Sequence, residues 1–187
     1  MSNKHRVFIS FHHGEEKNPS SGVHYKNAFI KMFQDYSEII ISRSVMEGDI
    51  DTSLKTETIR QKIRDEYLRN TTVTVVLIGP ETWKRKHVDW EISSSLRHTQ
   101  YNKRSGLIGI LLPTYPGYAE NKYNPYTIPP RLYNNLENGF AKLYLWNTNP
   151  SSIQKWVHEA YLRKDQIEPD NSYPNFANNK SADRWSY

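Results

Sequence analysis

Five short apolar runs alternate with segments in which apolar residues recur at helical spacing. The predicted strands are Arg6–His12, Glu38–Arg43, Thr72–Ile78, Leu107–Leu112 and Lys142–Trp146. The third run is almost entirely β-branched or apolar, which is typical of a central parallel strand covered on both faces. Between the strands, the periodicity predicts helices near residues 25–36, 51–67, 88–99 and 151–164, the last of them capped by Ser151 or Ser152.

Strands that alternate with helices predict an α/β fold with a doubly wound parallel sheet. Right-handed crossovers and short connections favour a flavodoxin-like sheet of five parallel strands in the order 2-1-3-4-5. We expect one domain over residues 1–163, with a long loop at 113–139 that is rich in Pro, Tyr and Asn. Residues 164–187 lack periodicity and are expected to form a mostly irregular tail.

Composition narrows the function classes further. The chain contains no cysteine, which excludes disulfides, thiolate metal sites and a Cys nucleophile and fits a reducing compartment. No apolar run reaches the ~20 residues that a membrane-spanning helix needs, and no signal-peptide core follows the N-terminus, so we expect a cytoplasmic protein. The net charge of +5 is modest, and without a zinc-finger or RNA-binding motif it argues against nucleic acid as the main partner.

The loops at the carboxyl ends of the strands are where such a sheet binds ligands. They are predicted at 12–22, 44–51, 79–87 and 113–139. Several flavodoxin-like functions lack their residues here: no Asp ends strand three, as a phosphoryl receiver requires, and no Ser/Thr-rich phosphate cradle follows strand one. Neither a G-x-G-x-x-G nor a Walker motif occurs, which argues against a Rossmann-type grip on a dinucleotide.

One carboxylate stands out on the helix after strand three. Val88, Ile92 and Leu96 mark the core face of this helix, and Glu91 lies ~60° from Val88, at the border between core and solvent. A half-buried carboxylate there could bind ribose hydroxyls or face a developing positive charge. It could equally be an acidic residue that stabilises the helix N-terminus.

These segments together resemble a known family. The first strand, the run Thr72–Gly79, the pair Thr82-Trp83 and the stretch Val88-Asp-Trp-Glu91-Ile are similar to TIR-like domains, in particular to the bacterial TIR-like proteins of Thoeris anti-phage systems. The similarity runs from about Lys4 to Trp146. It implies the same flavodoxin-like fold that the periodicity predicts.

The resemblance also implies an activity. TIR-like enzymes cleave the nicotinamide–ribose bond of NAD and pass on the ADP-ribosyl group, giving a cyclic or conjugated nucleotide that signals to an effector protein. Glu91 matches their essential glutamate. NAD is then a substrate, and no permanently bound cofactor or metal is expected. Departure of nicotinamide builds oxocarbenium character on the ribose, which one well-placed carboxylate can stabilise.

Further substrate contacts are expected at the same edge of the sheet. The candidates are Ser10, Phe11, His12, Asp49, Trp83, Arg85 and Asn124. Phe11 and Trp83 could stack on nicotinamide or adenine, or could belong to the core. Arg85 and its lysine neighbours could meet the pyrophosphate, or form a solvated face. Asp49 and Asn124 could contact substrate or simply form turns.

Two other functions stay open at the level of sequence. The chain could be a non-catalytic TIR-like adaptor that acts by protein–protein assembly, or a nucleotide-binding sensor without turnover. From the sequence we expect no attached sensor or effector domain. If it is an enzyme, a homo-oligomer or a phage-derived activator could therefore switch it on, and a separate effector would respond to its product.

Overall fold

A parallel sheet forms the centre of the protein. The computed structural model describes residues 4–12, 24–34, 39–41, 54–99 and 102–186. The strands are β1 (His5–Ser10), β2 (Ile39–Ile41), β3 (Val73–Ile78), β4 (Gly106–Leu111) and β5 (Ala141–Leu145). They are hydrogen-bonded in the order β2-β1-β3-β4-β5, and every neighbouring pair is parallel. The predicted flavodoxin-like fold and strand order are confirmed.

Helices connect successive strands. They are α1 (Tyr25–Met32), α2 (Thr56–Lys62), α3 (Lys86–Leu96), α4 (Pro130–Glu137) and α5 (Pro150–Arg163). A π-helical turn, Ile63–Tyr67, extends α2, and short 3₁₀ turns lie at Thr82–Lys84 and Pro125–Thr127. Within the described ranges, no helix is long and apolar enough to cross a membrane.

The helices cover both faces of the sheet because alternate strand residues point in opposite directions. On one face, Val7, Ile9 and Val75 pack in the same cluster as residues of α1 and α5. On the other face, Val76 and Ile78 pack with residues of α3 and α4. Each strand of the centre is therefore buried on both sides, as its continuous apolar run predicted.

Two local predictions were wrong. The segment 113–139 is not a continuous loop, because α4 occupies Pro130–Glu137 and buries Leu132 in the core. Pro130 has no N–H to lose in the first turn, so the Pro-rich composition marks a helix start here. The last helix is capped by Asn149 rather than by a serine: its side-chain oxygen accepts a hydrogen bond from the Ser151 N–H at 3.0 Å.

The end of the chain lies along the outer side of α3. Residues 164–186 contain turns and extended stretches but no helix or strand. Residues 170–185, here called the C-terminal segment, nevertheless bury Phe176 and Trp185. The Lys180 N–H donates to the Lys84 carbonyl at 2.8 Å, and the Trp185 indole N–H donates to the Ile128 carbonyl at 2.8 Å. This irregular segment is thus an integral part of the packed structure.

Candidate functional site

The candidate site lies at the carboxyl ends of β1 and β3. Ser10 is the last residue of β1 and pairs with Val76 of β3. After β3 the chain turns sharply, and the Thr82 hydroxyl accepts a hydrogen bond from the Gly79 N–H at 2.9 Å. This buried bond fixes the turn that leads into α3. Strand one and the helix after strand three thereby meet at the switch point of the sheet, where doubly wound folds bind ligands.

Glu91 is enclosed at this meeting point. Its carboxylate oxygen Oε2 accepts a hydrogen bond from the Ser10 hydroxyl at 2.5 Å, and the residue is only 2% exposed. The prediction that Glu91 lies half-buried at the border of the core was therefore wrong, because the residue is almost fully buried. All residues of α3 from Val88 to Leu96 are buried, because the C-terminal segment and neighbouring elements cover the side of the helix that faces away from the sheet.

Burial controls the charge of this carboxyl group. Desolvation raises the pKa of Glu91 to about 8, while the Ser10 hydrogen bond and the positive charge of Lys26 act in the opposite direction. Near neutral pH, the protonated form of Glu91 therefore predominates in this conformation. A cationic group that approached the carboxyl would favour its ionisation.

Lys26 supplies the nearby positive charge. It lies in the first turn of α1, half-buried, with its ammonium nitrogen 4.8 Å from the centre of the Phe11 ring. Burial lowers the pKa of Lys26, and the carboxyl group of Glu91 opposes that shift. Sequence analysis missed Lys26. Only its position in the chain could have indicated this role, because the first turn of the helix that follows strand one lies at the ligand-binding edge of the sheet.

Two histidines lie beside the same strand end. The Nε2 atom of His87 is 3.2 Å from the Phe11 carbonyl oxygen, so this nitrogen carries the proton and donates it. The ring centres of His12 and His87 are 6.5 Å apart. The predicted contact residues Ser10, Phe11 and His12 therefore gather near Glu91. His87 is a second residue that sequence analysis overlooked.

Aromatic candidates are less accessible than expected. Phe11 is 5% exposed and belongs to the core cluster between the sheet, α1 and α5. Trp83 is 2% exposed, and the ammonium group of Lys84 lies 5.6 Å from the centre of its ring. Stacking on a ligand would require either ring to leave these positions.

The remaining candidates lie in other surroundings. Arg85 is partly exposed and lies 3.9 Å from the carboxylate of Glu81. Asn124 begins the 3₁₀ turn after β4, where its side-chain oxygen accepts a hydrogen bond from the Tyr126 N–H at 3.0 Å. Its amide oxygen therefore serves a turn. The candidate Asp49 lies outside the described residues, as does the surrounding loop 44–51.

A buried ion pair anchors α3 two residues before Glu91. Asp89 accepts a hydrogen bond from the Arg131 guanidinium at 3.1 Å, and their side chains are 2% and 1% exposed. The second carboxylate oxygen accepts from the Phe176 N–H at 2.9 Å, and the Trp90 indole N–H donates to the Phe176 carbonyl at 2.8 Å. The C-terminal segment thus binds directly to the helix that carries Glu91.

The arrangement can stabilise positive charge. Within the described ranges, no group of three or more His, Asp and Glu side chains is placed to hold a metal ion. Glu91 offers one desolvated carboxyl group whose orientation is fixed by a serine hydroxyl. Such a group can stabilise a cationic centre strongly, because water does not screen the interaction.

The sheet order defines a flavodoxin-like α/β protein, and Glu91 forms a candidate site at its switch point. The family model described as "Thoeris protein ThsB, TIR-like domain" matches residues 8–116, more than half of the chain. The chain therefore belongs to the Thoeris ThsB TIR-like family. The match includes both Ser10 and Glu91 and ends before α4.

A solved structure is also similar to this chain, at low sequence identity. Among solved structures, the chain is similar to the TIR domains of the activated Roq1 resistosome, which directly recognizes the pathogen effector XopQ. The identity is 12%, the alignment covers 87% of this chain and 84% of the other, and the TM-score is 0.35. No curated protein matches the chain significantly.

Proposed function

We propose that this protein cleaves the nicotinamide–ribose bond of NAD and transfers the ADP-ribosyl group to form a signalling nucleotide in anti-phage defence. The observation that carries the proposal is the buried carboxyl group of Glu91, held by the Ser10 hydroxyl at the switch point of the sheet. Membership of the Thoeris ThsB TIR-like family supports it. In this proposal NAD is the substrate, and Glu91 is the catalytic residue.

The chemistry requires stabilisation of positive charge. When the bond between the ribose C1′ and the pyridinium nitrogen breaks, the bonding electrons leave with neutral nicotinamide. The ribose then carries oxocarbenium character until a hydroxyl group or water attacks C1′. An ionised Glu91 can accept hydrogen bonds from the ribose hydroxyls and stabilise this charge.

The resting protonation of Glu91 fits a substrate that brings its own positive charge. Burial holds the pKa of Glu91 at about 8, so the group is mostly neutral before substrate binds near neutral pH. The pyridinium ring of NAD favours the ionised form as it approaches, because opposite charges attract strongly in a desolvated site. Ser10 then keeps the carboxylate oriented through its hydrogen bond.

Burial also suggests a need for activation. At 2% exposure, Glu91 cannot contact a dinucleotide without rearrangement of the groups around it. We assign that rearrangement to assembly with further copies of the chain or to a phage-derived activator. The product would act on a separate effector protein in the cytoplasm. The other candidate contacts, including Phe11, Trp83 and Arg85, would meet substrate only in the rearranged state.

The test compares Glu91→Gln with the unaltered protein. Cells that express each form are infected with phage, and their nucleotides are measured by mass spectrometry alongside nicotinamide release from NAD by the purified proteins. We expect infection-dependent loss of NAD and a new ADP-ribose-derived nucleotide only with intact Glu91. Glu120→Gln, which changes an exposed glutamate, is the matched control. Undiminished turnover by a folded Glu91→Gln protein would refute the catalytic assignment.

A further inference from the structure

A concave site lies at the edge of the sheet opposite Glu91. A cavity of about 300 Å³ opens where the chain enters β3 and β4, next to the C-terminal end of α5. Thr71 lines it just before β3, Lys103 and Arg104 line it just before β4, and Tyr161 and Lys164 line it from α5 and the residue that caps it. This volume is within the range of small-molecule sites.

The lining of this cavity carries excess positive charge. Lys103, Arg104 and Lys164 contribute three cations, against one carboxylate from Asp165. Lys164 donates a hydrogen bond to Asp165 at 2.7 Å, and Arg104 is paired with Glu168 outside the lining. Both carboxylates are exposed to solvent, whereas the side chains of Arg104 and Lys164 are largely buried, so a dianion that enters the cavity can compete for these two cations.

Several donors in the cavity lack a partner. The hydroxyl of Thr71 and the Nε–H of Arg104 are buried without a hydrogen-bond partner among the described residues. Lys103, by contrast, is exposed, and its positive charge acts on the carboxylate of Asp165. Buried polar groups in folded proteins are nearly always satisfied, so these two donors, on residues that line a cationic cavity, favour an acceptor there.

We propose that this cavity is a binding site for a small phosphate-bearing molecule. A phosphate group offers three strong acceptor oxygens and up to two negative charges, which match the unpaired donors and the excess positive charge. Lys103 and Arg104 bind the phosphate, and the hydroxyl group of Thr71 donates a hydrogen bond to it. The ring of Tyr161 provides a wall for the uncharged remainder of the ligand.

This site is separate from Glu91. Thr72, which also lines the cavity, precedes Val76 by four residues along β3, and Val76 pairs with Ser10 at the candidate active site. Four residues of strand span about 13 Å, so the two sites lie at opposite ends of the sheet. The proposal therefore does not depend on the function assigned to Glu91.

Inorganic phosphate is the first probe. Its binding to the full chain is measured by calorimetry, and by the rise in unfolding temperature that a ligand of the native state causes, against sodium chloride of equal ionic strength. We expect saturable stabilisation by phosphate that chloride does not reproduce. The Glu91→Gln protein should bind phosphate with unchanged affinity. Absence of saturable binding, or equal effects of the two salts, would overturn the proposal.

Three variants locate the binding. Lys103→Gln should weaken phosphate binding about tenfold, the usual effect of losing one charged hydrogen-bond partner. Lys122→Gln, a matched neutralisation of an exposed lysine elsewhere, should leave it unchanged. Thr71→Val should raise stability without phosphate, because it removes an unpaired hydroxyl, yet reduce phosphate affinity severalfold. Equal affinity in Lys103→Gln and Lys122→Gln would contradict the assignment.

Discussion

Replacing Glu91 with glutamine should change how the stability of the protein depends on pH. Glutamine keeps the shape of the side chain and can still accept the hydrogen bond from Ser10, but it cannot ionise. The unaltered residue must remain protonated or place a charge in a buried site. The difference in free energy of unfolding between the two proteins therefore isolates the titration of this one group.

The expected size follows from the shift in pKa. The unfolded chain releases the proton near the ordinary value of 4.5, whereas the folded protein holds it until about 8. Between these values the folded state binds more protons, so the contribution of Glu91 to stability is fully present below 4.5 and is lost as pH rises towards 8. The full change is on the order of 5 kcal/mol, at about 1.4 kcal/mol per pH unit.

Urea denaturation of both proteins at several pH values tests this reasoning. Near pH 4 the two should differ by about 1 kcal/mol or less, the usual effect of altering one hydrogen bond. As pH rises, Glu91→Gln should become progressively more stable than the unaltered protein, and the gap should level off above pH 8, at which burial sets the pKa. A gap that stays constant from pH 4 to pH 9 would show that Glu91 titrates normally and would refute the argument.

Three further changes probe other parts of the structure. Lys26→Met should raise the pKa of Glu91 further, because it removes an attracting charge; carboxyl ¹³C NMR measures the shift, and an unchanged pKa would contradict it. Arg131→Met should cost about 3–5 kcal/mol in urea denaturation, since it leaves a buried carboxylate without its cation. A neutral replacement of that carboxylate should restore part of the loss. Gly106→Ala should lower the unfolding temperature, because the added methyl group would overlap the Ala160 carbonyl and displacement of packed backbone costs about 1–3 kcal/mol; an unchanged temperature would argue against this contact.

The sheet was predictable because its signals are local. The runs before Pro80 and Pro113 are apolar and β-rich over the full length of a strand, and few chain orders satisfy short right-handed connections. The helix α4 was harder to recognise because it is short and its sequence contains proline and two asparagines, which are weak helix formers. Its stability comes from tertiary packing of Leu132, which composition does not show.

The deep burial of Glu91 could not be predicted either, because it too depends on tertiary packing. Helical periodicity correctly placed Val88 and Ile92 towards the core, and it placed Glu91 on the flank of that face. The flank is buried because it faces the end of β1, where Ser10 donates a hydrogen bond to Glu91, and the charge of Lys26 from α1. The contribution of Lys26 was hidden as well, because proximity between α1 and α3 depends on the order of the strands.

The contacts of Arg131 have a practical consequence for dissecting this protein. The stretch that matches the family model stops at residue 116, yet the guanidinium that neutralises Asp89 and the backbone that pairs with Trp90 both come from later in the chain. A fragment that contains only the matched residues would expose the indole ring of Trp90 and leave the buried carboxylate of Asp89 without its cation, two residues from Glu91. If such a fragment were inactive, the result would reflect the loss of these supporting contacts and would say nothing about the role of Glu91.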